Sequence, residues 1–480
     1  MQKSSVCLVG VLCLLILMPE HALSRHRISL APSLTVSEEY SSNLFLAEED
    51  DDEEDGWITV VSPRMTLSAV GKTSSASLSY SPGFTYYAND KADSTIRHRA
   101  SLNLSKQLSK RMDIYLTDTF VRTDEPFSEN IDFNVNATTD EIDTEFIDRE
   151  GREDFYTNDL SLGFSRQMAK HDTLNMNYSY RIRRKREPSD THSYDTTYTH
   201  VFGAKDSWSL SYNFRDYKRK DQEDEDIDLE SEDSVKHNPA FDLSYWFTDH
   251  VGVDTGLSYT RGLFSDDDDS FHNLEGNVRV IRNFTKHLDG YFSYRHTAFD
   301  SEGGDDDYQV FDPGIGISYA WSKNTFIDLR AGYFYQDNEE DDDEAGVSLS
   351  GDASKVWRLK KGSFTASGGT GYDQDYFGAE NLGFTIYQYF DVSGLYNFTK
   401  RFSGSVSAGY RRDNYVNQDP ERVDESYDLG AGLTYSPRPW LRIRLTERYR
   451  LMDSDDDDQN YDENRVTLSV SLIPRPWRLN

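Results

Sequence analysis

Ten arginines fall on one face of segments in which apolar and polar residues alternate, and a ring of guanidinium groups favours the passage of anions. These residues are Arg181, Arg183, Arg215, Arg279, Arg295, Arg330, Arg411, Arg442, Arg444 and Arg448. The alternation places four carboxylates on the same face, so the predicted balance is positive: Glu275, Asp289, Asp328 and Asp428. Two interpretations stay open, a path for an anionic solute and a ladder of arginine–carboxylate pairs that stiffens a wall.

Acidic residues are concentrated in runs between the alternating segments, and the chain carries a formal net charge of −34. The clearest runs are Glu48–Asp55, Asp221–Asp226, Asp266–Asp269, Glu339–Glu344 and Asp455–Asp458. Carboxylate oxygens bind Ca²⁺ and Mg²⁺, so loosely held divalent cations are one expectation, although no run has the spacing of an EF-hand loop. A solvated, mutually repelling fringe is the favoured interpretation. Neither a defined metal site nor a cofactor is predicted.

The sequence offers little for catalysis. It contains no Gly-x-Ser-x-Gly elbow, no His-Glu-x-x-His pair and no phosphate-binding loop, and its 11 histidines are scattered. Its two cysteines, Cys7 and Cys13, lie in a segment that is expected to be removed. We therefore predict that the protein is not an enzyme and assign no catalytic residue.

The elements that position these residues are predicted from a turn signal that recurs about every 37 residues. Its marker residues are Lys72, Lys110, Lys170, Lys205, Asp249, Lys286, Lys323, Lys360, Lys400, Arg438 and Arg475. Two strands of about a dozen residues, one short connection and one longer connection fill such an interval. The predicted fold is all-β: a transmembrane, antiparallel, up-and-down β-barrel of about 22 strands (range about 18–24), with short periplasmic turns and acidic extracellular loops.

Residues 441–451 show how the two faces of a strand are separated. Leucine and isoleucine alternate with arginine there, and only Glu447 breaks the apolar side. Strands of soluble sandwiches are shorter, and the 31 Tyr and 26 Phe suit an aromatic girdle at a membrane interface. Hydrocarbon is therefore the predicted surrounding of the apolar face, in the bacterial outer membrane. A soluble repeat protein is the less favoured alternative.

The sequence predicts a removable amino-terminal segment, a single domain and a loop insertion within that domain. A lysine, an apolar run and small residues form the pattern of a secretory signal over residues 1–24. Residues 25–480 are predicted to form a single outer-membrane barrel domain. A loop insertion at about residues 124–154 is predicted to fold into the mouth and constrict the pore, drawn there by the arginines.

Three stretches near the amino terminus carry a family resemblance: Pro32–Phe45 (PSLTVSEEYSSNLF), Val61–Ser68 (VSPRMTLS) and Leu78–Phe84 (LSYSPGF). They resemble a family of outer-membrane β-barrel porins that accompanies exopolysaccharide biosynthesis and export loci. The resemblance covers roughly the first 110 residues in detail. It implies an outer-membrane channel or scaffold associated with surface polysaccharide, without catalytic residues.

Together these features predict an outer-membrane channel: a porin that exports surface exopolysaccharide, or another anionic solute, through an arginine-lined lumen. The alternative is a non-conducting structural or attachment barrel whose acidic loops bind divalent cations, polysaccharide or partner proteins at the cell surface. The expected partners are outer-membrane lipid, lipopolysaccharide, the barrel-assembly machinery and polysaccharide export proteins. Binding to nucleic acid is not expected, given the acidic net charge.

Overall fold

The computed structural model describes residues 27–479 apart from fourteen short gaps. The gaps are 48–52, 89–91, 93, 125–153, 185–187, 220–232, 266–269, 304–306, 323–324, 339–342, 356–360, 376–382, 416–421 and 457–459. The predicted signal at 1–24 lies outside the described residues, as does the predicted insertion at 124–154 except for its two end residues. In the part of the chain that is described, no helix is long and apolar enough to cross a membrane.

The described residues form a single sheet. Its strands are β1 Arg27–Ser41, β2 Gly56–Val70, β3 Ser74–Tyr87, β4 Ile96–Ser109, β5 Met112–Thr123, β6 Phe155–Gln167, β7 Asp172–Arg184, β8 Ser189–Val201, β9 Ser207–Arg219, β10 Ser234–Thr248, β11 Val251–Phe264, β12 Phe271–Asn283, β13 Leu288–Ser301, β14 Tyr308–Ser322, β15 Thr325–Asn338, β16 Glu344–Lys355, β17 Gly362–Asp375, β18 Gly383–Asn397, β19 Phe402–Tyr415, β20 Arg422–Arg438, β21 Leu441–Ser454, β22 Tyr461–Leu472 and β23 Trp477–Leu479. Each strand from β1 to β21 pairs antiparallel with the next, and β1 pairs with β22 and β23, which closes the sheet. The three-residue strand β23 pairs with β1 beyond the end of β22 and so extends the closing ladder. The prediction of a closed, up-and-down barrel of about 22 strands is confirmed.

The predicted turn markers other than Lys323 and Lys360, which lie outside the described residues, are in or beside the short connections, and these are all at one end of the barrel. One turn motif recurs because a threonine side chain fixes it. Thr285 Oγ1 accepts hydrogen bonds from the backbone N–H groups two and three residues later, at 3.1 and 3.0 Å. Thr399 Oγ1 accepts the equivalent two bonds at the same distances. The repeated sequence Asn-Phe-Thr-Lys therefore specifies a turn, and the longer connections with the acidic runs lie at the opposite end.

Contacts between strands that are not neighbours identify the inner face of the wall. The rings of Tyr308 in β14 and Phe384 in β18 have centroids 5.8 Å apart. The Cζ atom of Arg295 in β13 lies 4.8 Å from the ring centroid of Tyr372 in β17. Side chains of strands four apart in a closed barrel meet only across its interior. Arg295 and Tyr308 therefore face the lumen, and the cross-strand register extends this assignment around the barrel.

The outer face is apolar and exposed at the level where a membrane would surround it. Ile315, near the middle of β14, is 66% exposed, and Leu257 in β11 and Val406 in β19 are similarly open. Large exposed aromatic residues such as Trp321 and Trp440 lie beside the short turns. Such a surface is stable next to hydrocarbon with an aromatic girdle at the interface. Glu447 also lies on this face, as the alternation predicted.

The assignment of faces can be tested with one charge at two adjacent positions. Leu257 and Ser258 lie at the middle of β11, on the lipid face and the lumen face respectively. We expect Leu257→Arg to reduce the free energy of unfolding by about 2–4 kcal/mol, because a guanidinium at the bilayer midplane loses its hydration. Ser258→Arg, the matched control, should cost little. Both can be measured by heat-modifiable gel migration during a urea titration in vesicles, and equal losses would contradict the assignment.

Two apolar clusters lie inside the barrel at its extracellular end. The mouth cluster comprises Phe271, Phe299, Tyr308, Val310, Phe334, Tyr372 and Phe384. The second cluster comprises Leu44, Ile58, Val60 and Tyr87, where the connection after β1 packs against β2 and β3. The two clusters belong to strands on opposite sides of the barrel, so they narrow the mouth from both sides.

Candidate functional site: the barrel lumen

All ten arginines singled out from the sequence lie on the lumen face of their strands. Two are in β7, one each is in β9, β12, β13, β15 and β19, and three are in β21. Each lies opposite another lumen-facing residue in the cross-strand register. The alternation thus predicted their orientation, while their part in solute passage stays a prediction.

A buried carboxylate joins two of these arginines. Asp312 is fully buried, and its two carboxylate oxygens lie 2.7 Å from Nη2 of Arg330 and 3.3 Å from Nη2 of Arg295. Arg330 also donates hydrogen bonds to the hydroxyls of Ser293 (3.0 Å) and Ser348 (2.5 Å). A carboxylate that is shielded from water is stable only with such partners. This network ties β13, β14, β15 and β16 together from the inside.

Removing the shared carboxylate should destabilise this part of the barrel. We expect Asp312→Asn to lower the free energy of unfolding by about 3–5 kcal/mol, because Arg295 and Arg330 keep their charges and lose the acid that balances both. The matched control is Asp242→Asn, since Asp242 is an exposed carboxylate on the lumen face of β10. A urea titration of both variants measures the difference, and equal stabilities would show that the network is dispensable.

Four more of the ten arginines are held by carboxylates. Arg181 pairs with Asp159 at 2.6 Å, and Arg411 pairs with Asp413 at 2.7 Å. Of the other two, Arg448 lies 2.7 Å from Asp428, and Arg279 lies 3.8 Å from Asp328 and stacks over the ring of Tyr291. Six of the ten are therefore paired with five carboxylates, since Asp312 serves two of them, as the interpretation of a stiffening ladder requires.

The other four arginines have no carboxylate partner among the residues that the structure describes: Arg183, Arg215, Arg442 and Arg444. Two of them, Arg442 and Arg444, are exposed at the end of β21 that adjoins a short turn. Arg64, which the sequence did not single out, is exposed on the lumen face near the middle of β2, six residues before that strand ends at Val70. Arg64, Arg442 and Arg444 form what we call the basic strip. Only serine and threonine hydroxyls, such as those of Ser471 and Thr35, lie between its two sides.

Several lumen carboxylates were missed from the sequence, namely Asp159, Asp312, Asp413 and Glu463. Glu463 accepts hydrogen bonds from both Arg450 (3.4 Å) and Arg465 (2.9 Å). Each of these acids lies on the polar face of its strand, as the arginines do, so the same alternation could have identified them. With these acids included, the lumen arginines without a described carboxylate partner are Arg183, Arg215 and those of the basic strip, so the excess of positive charge is local rather than general along the lumen.

The β17–β18 hairpin constricts the lumen near the mouth. Lower in this hairpin, Phe390 faces lipid and is 52% exposed, whereas Phe384 on the same face of β18 is fully buried in the mouth cluster. Phe384 and Tyr372 pack against Phe334 of β15, with ring centroids 6.2 and 5.3 Å away. The upper hairpin therefore folds inward, and its former lipid face lies against the lumen wall. A Cβ on Gly346 would lie 2.7 Å from the Phe334 ring, so glycine is required there.

The predicted constriction by residues 124–154 stays a prediction, because only the ends of that segment are described. Asp124 is buried and accepts a hydrogen bond from Arg97 at 2.6 Å and another from the Tyr87 hydroxyl. At the other end, Asp154 pairs with Arg122 at 2.6 Å. Both ends are anchored to the wall at the mouth of the barrel.

Metal binding finds no support in the described residues, which contain no group of three or more His, Cys, Asp or Glu side chains placed to hold an ion. Most of the acidic runs lie outside the described residues, so cation binding by the loops stays a prediction.

Comparison with known proteins gives a consistent class. Residues 316–473 match a family described as "Putative beta-barrel porin 2", and residues 224–342 match one described as "Putative MetA-pathway of phenol degradation". The structure is similar to the ferric-catecholate import receptor Fiu from E. coli K12 (TM-score 0.57, 10% identity, covering 92% of this chain and 81% of that one). It is also similar to the siderophore receptor PirA from Acinetobacter baumannii (TM-score 0.54, 10% identity, 92% and 80%). At this identity the structural likeness shows the fold alone, and no curated protein matched the sequence.

The class defined by the fold and these matches is the outer-membrane β-barrel of the porin type, located in the bacterial outer membrane. Residues 316–473 thus match an outer-membrane β-barrel porin family, and this match confirms the resemblance seen in the sequence at the level of a porin family. The matched residues lie in the carboxy-terminal part of the chain, whereas that resemblance rested on residues 32–84.

Proposed function

We propose that this barrel is a passive channel for anionic solutes and that its natural cargo is an acidic polysaccharide exported to the cell surface. The observation that carries the proposal is the basic strip. Arg442 and Arg444 lie on the lumen face beside a short turn, and such turns are periplasmic in barrels of this type. Arg64 lies on the lumen face farther from the turns, near the middle of β2. A solute that leaves the periplasm meets the charges of Arg442 and Arg444 first.

The electrostatics of the strip favour anions. Arg442 and Arg444 are exposed and have no carboxylate partner among the described residues, so their field is not cancelled locally. A cluster of charges of one sign, enclosed by a wall of low dielectric constant, raises the local concentration of counter-ions. The paired arginines higher in the lumen are close to neutral and would allow the solute to leave.

The lumen wall of β3 and β4 suits a sugar chain because its side chains are small and polar. It presents Ser75, Ser77, Ser79, Ser101, Asn103 and Ser105. Hydroxyl and amide groups both donate and accept hydrogen bonds, as sugar hydroxyls do. The resemblance of the amino-terminal segments to porins of exopolysaccharide export loci supports the same cargo.

Block of ionic current by oligosaccharides tests this function. With the protein in a planar bilayer, an oligogalacturonate added on the side of the short turns should interrupt the current more often than a maltooligosaccharide of equal length. Equal block by the two sugars would contradict selection by charge. Open channels that neither sugar blocks would reject a polysaccharide path.

A non-conducting attachment barrel is the second candidate. It is favoured by the pairing of six lumen arginines with carboxylates and by the acidic loops of a chain with net charge −34. In that case acidic loops would hold divalent cations, polysaccharide or partner proteins at the cell surface. A barrel that is folded and silent in the bilayer, yet retains polysaccharide only when Ca²⁺ is present, would favour this candidate.

A further inference from the structure

A carboxylate lies on the lipid face of the barrel beside the short turns. Asp172, the first residue of β7, is opposite His200 in the register with β8, and His200 is opposite Trp208 of β9. Leu210, two residues after Trp208, is on the same face and is 51% exposed, so this face is the one next to lipid. Because short turns mark the periplasmic end, Asp172 lies where the inner leaflet meets water.

The protein uses one of the two carboxylate oxygens of Asp172. Its Oδ1 lies 2.5 Å from Nδ1 of His200 and accepts a hydrogen bond from the Tyr198 hydroxyl at 2.9 Å. Its Oδ2 has no hydrogen-bond partner among the residues that the structure describes, and the side chain is 20% exposed. Tyr198 and His200 therefore hold the carboxylate in place and leave Oδ2 available to a donor from outside the protein.

Aromatic rings lie on the lipid face next to this carboxylate. The ring centroid of Trp208 is 5.4 Å from that of Tyr198 and 5.7 Å from that of His200. Phe202, in the turn after β8, stacks on His200 with ring centroids 6.0 Å apart and is 46% exposed. The face of an aromatic ring attracts a cation, so rings beside a carboxylate form a site for an ammonium group.

A guanidinium lies on the other side of Asp172. Arg166 is exposed on the lipid face of β6 and is opposite Leu174 of β7, which makes it the diagonal neighbour of Asp172. Among the described residues, no carboxylate pairs with Arg166. Diagonal neighbours are about 7–8 Å apart, close enough for both side chains to contact one headgroup. Arginine binds phosphate through parallel hydrogen bonds, so this side of Asp172 suits a phosphate.

We call five of these residues the headgroup site: Arg166, Asp172, Tyr198, His200 and Trp208. We propose that the headgroup site binds a phospholipid with a primary ammonium group, phosphatidylethanolamine, in the inner leaflet. The ammonium donates to Oδ2 of Asp172 and lies against the Trp208 ring, and the phosphate accepts from Arg166. Asp172 and Arg166 thus oppose the two charges of the zwitterion. The site lies outside the lumen, so this proposal and the passage of anions can fail separately.

Native mass spectrometry of the purified protein, released from detergent, tests the headgroup site. The probes are phosphatidylethanolamine and phosphatidylglycerol with the same acyl chains, and the second has no ammonium. We expect the unmodified barrel to retain phosphatidylethanolamine in preference. Asp172→Asn should lower that retention about tenfold, because a hydrogen bond between two charged groups is lost, and it should leave phosphatidylglycerol bound as before.

Asp113→Asn is the matched control. Asp113 is exposed at the same end of the barrel, but it lies on the lumen face of β5, so its loss should change the retention of neither lipid. An equal effect of both substitutions on phosphatidylethanolamine would assign the preference to total charge and overturn the site.

Two further outcomes would overturn the headgroup site. Equal retention of the two lipids by the unmodified barrel would show that it does not select the ammonium. An equal loss of both lipids in Asp172→Asn would leave Asp172 as a tie between β7 and β8. If that variant does not fold, as judged by heat-modifiable migration, Trp208→Leu removes the ring face instead. It should lower the preference severalfold, and an unchanged preference would also overturn the proposal.

Discussion

Replacing Phe334 with alanine should raise the single-channel conductance of the barrel. The Phe334 ring is fully buried and contacts Tyr372 and Phe384, which hold the β17–β18 hairpin inside the lumen. Loss of a buried phenylalanine ring costs about 3–5 kcal/mol, and here much of that cost falls on docking of the hairpin rather than on the wall. A hairpin that undocks widens the mouth. Conductance in a planar bilayer measures the change directly.

Phe390→Ala is the matched control for that experiment. Phe390 lies in the same hairpin, but it faces lipid and is exposed, so its loss should leave conductance unchanged. An unchanged conductance for Phe334→Ala, with the barrel shown to be folded by heat-modifiable migration, would mean that the hairpin does not limit flow. If that variant does not fold, Phe384→Ala removes the same contact from the hairpin side.

The second large effect is expected on ion selectivity. The double substitution Arg442→Glu and Arg444→Glu replaces two positive charges by two negative charges, a change of four units at the periplasmic end of the lumen. Because these arginines have no described carboxylate partner, the sign of the local field should reverse, and so should the preference of the channel. The reversal potential in a KCl gradient should change sign.

Arg282→Glu with Lys286→Glu makes the same change of charge outside the lumen. Arg282 lies on the lipid face of β12 and Lys286 lies in the following turn, both at the same end of the barrel. This control should keep the original selectivity. A reversal in both double variants would assign the effect to total charge, and a reversal in neither would remove the basic strip from the mechanism.

Much of the fold could be predicted because a strand encodes its two faces in alternate residues. The leucines and arginines of β21 lie where the alternation placed them, and the threonine of the Asn-Phe-Thr-Lys repeat makes the turn that its spacing implied. Turn spacing also gave the strand count, since each hairpin of a membrane-spanning barrel has nearly the same length.

The ion pairs could not be predicted in the same way. Whether Arg330 meets Asp312 depends on the register between β14 and β15. The alternation of polar and apolar residues within one strand assigns its two faces but does not determine its register with the next strand. The inward hairpin was also beyond prediction. The alternation of residues along β17 and β18 assigns Tyr372 and Phe384 to the lipid face. It cannot show that the ladder between β16 and β17 ends at Thr370, or that the upper hairpin then folds into the lumen.

The current carried by the unmodified protein in a planar bilayer tests the central claim, which is that the polar face encloses a continuous aqueous path. We expect discrete conductance steps and, in a KCl gradient, a reversal potential displaced toward that of chloride. A correctly folded barrel that inserts and carries no current would contradict the claim, and a displacement toward potassium would contradict the role given to the basic strip.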